Sequence, residues 1–112
     1  MSIKIERISD ALIEQISYII SNKVKNKDIN FVTITDVKVS SDLGFAKVYF
    51  TVLDSDKKDI TLKALTEASG FIRHELRDRI DIRQIPKLSF VYDESIDEAK
   101  KIEDILEKIH KD

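Results

Sequence analysis

The stretch that decides the fold is "LTEASGFIRHELRDRIDIRQIPKLSF", Leu65 to Phe90. Its first part has the period of a helix, with Leu65, Ala68, Ile72, Leu76 and Ile80 at steps of three or four, and its end alternates as a strand does. Gly70 stands inside the helical part, although glycine weakens a helix by about 0.5–1 kcal/mol relative to alanine. Two readings of Gly70 follow. A missing side chain lets the helix lie close against a neighbour. Alternatively the helix breaks there, and the amides of a new helix N-terminus are offered to a phosphate. Ser69 fits both, as a cap for a second segment or as a hydroxyl bonded back inside the first.

After Gly70 the chain carries Arg73, Arg77, Arg79, Arg83 and Lys87 against Glu75, Asp78 and Asp81 up to Phe90. This local excess of cations lies in a chain of net charge -2, so a nucleic-acid role has to rest on a patch and not on overall charge. Arg73 and Arg77 are one turn apart beside the Ile72/Leu76 stripe. The plain alternative is a solvated helix face with ion pairs such as Asp78 to its arginine neighbours. The preference for arginine is chemically pointed, because a planar guanidinium suits phosphates and bases better than an ammonium does.

Outward from this stretch the pattern is simple. "IERISDALIEQISYIISNK" places Ile5, Ile8, Leu12, Ile16, Ile19 and Ile20 on one face of an amphipathic helix. "FVTITDVKVS" and "FAKVYFTVL" read as strands joined by a short polar turn, an antiparallel hairpin. In the first strand the apolar positions change phase between Ile34 and Val37, which predicts a bulge near Thr35–Asp36. In the second, Ala46, Val48, Phe50 and Val52 face one way, and Lys47, Tyr49 and Thr51 the other. A lysine beside a tyrosine on a strand suits single-stranded nucleic acid, and equally an ordinary solvent face. "DSDKKD" opens the next helix, whose stripe begins with Ile60, Ala64 and Leu65. "IPKLSFVYD" is a third strand entered through Pro86. "SIDEAKKIEDILEKIHKD" is a final acidic helix with a Ser95/Glu98 capping box. The order α-β-β-α-kink-α-β-α, with helices on one face of a three-stranded sheet, defines an α+β domain spanning residues 1–112.

The chemistry of catalysis is thin. The chain lacks cysteine, and its two histidines, His74 and His110, stand without partners at metal-ligand spacing. His74, Glu75 and Asp78 form at most a weak acid–base cluster on a polar helix face. Nucleophile-elbow, P-loop and dinucleotide fingerprints are missing. No apolar run approaches the roughly 18–20 residues of a membrane span. These features lead to the expectation of a soluble cytoplasmic protein, with no sign in the sequence of catalytic residues, a metal, a cofactor or a small-molecule substrate.

Several spaced motifs together resemble the bacterial ribosome-binding factor A family: "RISDALIEQISYII" with Arg7, "VTITDVKVSSDLGFAKVYFTVL", and "ASGFIRHELRDRIDIRQIPKLSFVYDES" with Ala68-Ser69-Gly70 matching an Ala-x-Gly interruption. The linker "KNKDIN" departs from the family's Asp-Pro-Arg, only Asp28 matching in part. The resemblance implies a KH-like (type II-like) fold, with the Ala-x-Gly kink where other KH domains carry a G-x-x-G loop. It implies an assembly factor without enzymatic activity. Such a factor acts on the immature small ribosomal subunit and its ribosomal RNA, supports maturation of the RNA 5′ end, and aids growth in the cold; the chain itself is expected to be a monomer. On this reading Arg73 and Arg77 contact phosphates beside the kink at Ala68, Ser69 and Gly70, with Arg83, Lys47 and Arg7 as further contacts. The alternative is a protein-interaction module that docks through the acidic C-terminal helix or a sheet edge.

Overall fold

The computed structural model describes residues 3–95. Helix α1, Ile3–Asn22, leads into strand β1, Val32–Val39, and strand β2, Phe45–Val52. A single 3-10 turn, Ser55–Lys57, precedes helix α2, Lys58–Leu76, and strand β3, Lys87–Tyr92, follows. The strands form one sheet in the order β1-β2-β3. The hairpin pair β1/β2 is antiparallel, and β2/β3 is parallel. The fold is therefore α+β, with both helices on the same face of a mixed sheet. The expected final helix lies, beyond Ser95, outside the described residues, and so does its capping partner Glu98.

Apolar periodicity explains the core. The α1 stripe buries Ile8, Leu12, Ile16, Ile19 and Ile20 in one core with Ile34 and Val37 of β1, Ala46, Val48, Phe50 and Val52 of β2, and Leu88 and Phe90 of β3. The phase change in β1 is the expected bulge. Ile34 pairs with Phe50 and Asp36 with Tyr49, so Thr35 is the extra residue. One inserted residue keeps Ile34 and Val37 both buried, although they are an odd number of positions apart. The Thr35 hydroxyl donates to Asp93 Oδ2 at 2.6 Å, which ties the bulge to the end of β3 across the width of the sheet. The Asp93 amide closes onto the Phe50 carbonyl at 2.7 Å.

Helix α2 corrects the expected kink. It runs unbroken from Lys58 to Leu76, and Gly70 keeps a negative φ within it. The reason is energetic. The helix buries Thr61, Ala64, Leu65, Ile72 and Leu76 on both sides of the glycine. Each large apolar side chain contributes about 1.5–3 kcal/mol on burial, which exceeds the roughly 1 kcal/mol that a helical glycine costs. The helix ends after Leu76, where the amides of Arg79 and Ile80 both turn back to the Leu76 carbonyl at 3.0 Å. Ile80 thus reaches the core from the connection and not from a second helix. Ile60, expected in the stripe, is exposed, and Thr61 takes the inward place, its hydroxyl donating to the Asp28 carbonyl at 3.2 Å. That bond anchors the α1–β1 connection on α2.

Asp93 supplies a pH handle. Hydrogen bonds from the Ser95 hydroxyl and then the Thr35 hydroxyl hold its carboxyl below the ordinary value of 3.8. A carboxyl depressed in the folded state stabilises the fold above its unfolded pKa and loses that contribution as pH falls through the folded value. Thermal unfolding followed between about pH 5 and pH 3 should therefore show a smaller acid-induced drop in Tm for Asp93→Asn than for the unmodified protein. Equal drops would show that the tether does not titrate with folding.

Candidate nucleic-acid interface

Where α2 ends, three pieces of chain meet: the last turn of the helix, the connection 77–86 and the tip of the β1–β2 hairpin. They enclose a cleft of about 550 Å³ lined by Gly44, Arg73, Arg77, Ile82, Arg83, Gln84, Ile85 and Lys87. Its lining holds four cations and no carboxylate. The hairpin tip is held by its own side chains. Asp42 Oδ1 accepts the Ser40 hydroxyl at 2.7 Å and the Gly44 amide at 2.9 Å, and these two bonds keep the Asp42 carboxyl below its ordinary range. Leu43 takes a left-handed φ of 61° at this turn, a conformation that non-glycine residues adopt rarely. Gln84 Nε2 donates to the Leu43 carbonyl at 3.2 Å, and the Lys87 amide donates to the Gly44 carbonyl at 2.9 Å. The tip and the connection are thus stitched together, and the cleft has fixed walls.

The expected contacts divide. Arg73, Arg77 and Arg83 come together in the cleft; Arg7 and Lys47 do not. Arg7 is exposed on α1 and lines a separate, largely apolar hollow with Ile8, Ala11, Ile80, Asp81 and Ile82. Lys47 projects from the outer face of the sheet, opposite Lys38. Lys87 and Gln84 are cleft residues that sequence reasoning did not place. The available signal was Lys87 itself, a cation directly after the proline that precedes β3.

Arg73 has a task the sequence did not show. Its Nε donates to the Pro86 carbonyl at 3.1 Å and an Nη donates to the Ile85 carbonyl at 3.0 Å. One planar guanidinium thereby holds the chain that enters β3, a bidentate grip that an ammonium cannot copy. Arg77 and Arg83 are the exposed cations of the cleft.

The Ala68-Ser69-Gly70 stretch also resolves. Ala68 packs partly buried on the core. The Ser69 hydroxyl donates back to the Thr66 carbonyl at 2.8 Å, the second of the two roles that the sequence left open to it. Gly70 is exposed, and nothing lies within 4 Å of where a Cβ would stand. This overturns both expectations for it: no neighbour packs against the glycine, and no helix N-terminus begins there. Phosphate binding by newly exposed amides has no basis, since the helix end at the cleft is a C-terminus, whose partial charge favours cations. What Gly70 does provide is a bare patch of helix backbone on the face shared with Arg73 and Arg77, three and seven residues on.

With this geometry the comparisons are clear. The model of the ribosome-binding factor A family matches residues 4–106. The chain belongs to the ribosome-binding factor A family. It is 48% identical over 111 residues to ribosome-binding factor A of Staphylococcus epidermidis, covering 98% of this chain and 96% of that one. It is 43% identical over 113 residues to that of Macrococcus caseolyticus, covering 100% and 99%. Among solved structures it is similar to the crystal structure of ribosome-binding factor A from Thermus thermophilus, with a TM-score of 0.60 at 23% identity over 78% of this chain and 89% of the other. It is also similar to the Thermus thermophilus homology model fitted into a cryo-electron microscopy map of its 30S complex, with a TM-score of 0.61 at 21% identity, covering 85% and 97%. These structural likenesses establish the KH-like fold. Among the described residues no group could hold a metal ion, and no helix is long and apolar enough to cross a membrane.

Two outcomes test the site. Arg73→Ala removes two charge-assisted hydrogen bonds and should lower stability by about 1.5–3 kcal/mol in denaturant unfolding, with Arg73→Lys recovering only a part. Gly70→Ala should instead raise stability by about 0.5–1 kcal/mol, because the helix is regular and the space is open. A loss of stability in Gly70→Ala would mean that the helix is strained there after all.

Proposed function

We propose that this protein is a non-catalytic assembly factor that binds the small ribosomal subunit, chiefly through phosphates of its ribosomal RNA held in the basic cleft. The observation that carries this reading is the cleft itself: Arg73, Arg77, Arg83 and Lys87 without an acidic neighbour in the lining, in a protein of net charge -2. A local concentration of cations on a weakly acidic molecule steers a polyanion to one orientation. Arg77, Arg83 and Lys87 make the phosphate contacts, Arg73 holds the wall behind them, and the bare backbone at Gly70 lets the RNA backbone approach α2 closely. The family supports the choice of partner, as does the Thermus thermophilus factor fitted into a 30S complex.

On this reading the protein works in the cytoplasm as a single KH-like domain over residues 1–112, a monomer without cofactor. Its binding favours maturation of the 5′ end of the ribosomal RNA and supports growth in the cold. Arg7 and Lys47 lie outside the cleft and add weaker contacts.

Cosedimentation with purified small subunits over a salt series tests the proposal. Replacing Arg77 and Arg83 together by alanine should weaken binding and reduce the slope of log affinity against log salt by about 1.5–2, because about two fewer counterions are released. Retained affinity with an unchanged slope would remove the cleft from the interface.

A further inference from the structure

The outer face of the sheet, opposite the helices, carries a pattern that the core does not need. Along β2 the outward residues are Phe45, Lys47 and Tyr49, at steps of about 6.8 Å. Phe45 is 60% exposed, a large apolar ring in open water. Lys47 stands directly opposite Lys38 of β1, and Lys87 of β3 stands opposite Phe45. Like charges facing each other across a strand pair destabilise a sheet. Lys38 finds partial relief by placing its Nζ over the Tyr49 ring, 5.4 Å from the centroid, and from the nearby Asp93 carboxylate. Lys47 has neither. Asp36, opposite Tyr49, is the acidic residue at the far end of the row. The cationic end is continuous with the cleft, because Lys87 lines the cleft and Phe45 follows Gly44 at the hairpin tip.

We infer that this face is a platform for single-stranded RNA, with a base stacked on Phe45, a second at Tyr49, and phosphates bridging the opposed Lys38 and Lys47 and reaching Lys87. Aromatic rings alternating with cations along a strand fit the alternation of bases and phosphates in an extended single strand, whereas the stacked bases of a duplex offer no free faces to the rings. A bridging phosphate also removes the repulsion built into the Lys38/Lys47 pair. The inference rests on the RNA-binding reading above and deepens it: the strand leaves the cleft at Lys87 and crosses the sheet as unpaired RNA.

The test is fluorescence anisotropy of the full chain with a labelled oligouridylate of about ten nucleotides, a length within the usual site size, and with a duplex RNA of equal length. The single strand should bind more tightly. Phe45→Ala should weaken it by about tenfold with an unchanged salt slope, and Phe45→Trp should restore it. Lys38→Ala with Lys47→Ala should lower the salt slope by about 1.4, while Lys47→Ala alone should not lower the thermal unfolding temperature of the free protein, since it removes the repulsion and leaves the Lys38–Tyr49 contact in place. Equal affinity of Phe45→Ala and unmodified protein for the oligomer overturns the inference, as does equal or tighter duplex binding. A Phe45→Ala variant that loses small-subunit association yet binds the oligomer normally also overturns it, and assigns the face to a ribosomal protein. The cleft is judged separately. If the Arg77/Arg83 variant loses subunits while Phe45→Ala changes nothing, the cleft reading stands and the platform fails. If Phe45→Ala alone weakens binding, the platform stands and the cleft fails.

Discussion

A strand lying parallel to its sequence predecessor cannot be reached by a tight turn, and β3 lies parallel to β2. The chain must leave the sheet, travel the length of the molecule and return in register, and α2 with the connection 77–86 is that crossing. The return is the delicate step. It is fixed by Arg73, which holds the carbonyls of Ile85 and Pro86 from the last turn of α2, just ahead of the first β3 rung from Lys87 to Gly44. Pro86 is buried and cannot donate a backbone hydrogen bond, so the carbonyls are what the entry can offer. Departure and arrival of the crossover are thereby coupled through one side chain.

The cleft is a by-product of that crossing. A connection that has to pass from the end of a helix to the start of a strand beside a hairpin leaves a concave space between the three. The sequence fills its rim with Arg77, Arg83 and Lys87. Asp42 rigidifies the hairpin side through Ser40 and Gly44, and Gln84 closes the gap by holding Leu43. The cations sit on structure that does not have to be organised when a ligand arrives, which lowers the cost of binding.

How much of this was legible in the sequence depended on the kind of information involved. Periodicity is local, and it gave α1, the stripe of α2, the hairpin and even the Thr35 bulge, because the change of phase between Ile34 and Val37 calls for an inserted residue. The KH-like arrangement came through the family likeness, whereas the parallel return of β3 showed only in the structure. Gly70 misled for a physical reason. Glycine tolerates many backbone conformations, so its presence permits a break without imposing one, and the burial of Leu65 and Ile72 on either side favours a helix that continues through it. Arg73 misled differently. A helical wheel shows that it lies beside the stripe, but not that a backbone thirteen residues later passes within hydrogen-bond reach. Lys87 counted in the local excess of cations, but its place in the cleft showed only with the hairpin tip folded against it.

The Thr35 bulge has a consequence for life in a crowded cell. Among the described residues β1 is an edge of the sheet, and an edge with a regular repeat of free amides and carbonyls is a template for another strand. The inserted residue breaks that repeat in the middle of β1, and Asp36 and Lys38 set charged side chains beside the break. The irregularity that keeps Ile34 and Val37 in one core thus also discourages sheet-to-sheet aggregation along an edge of the described sheet.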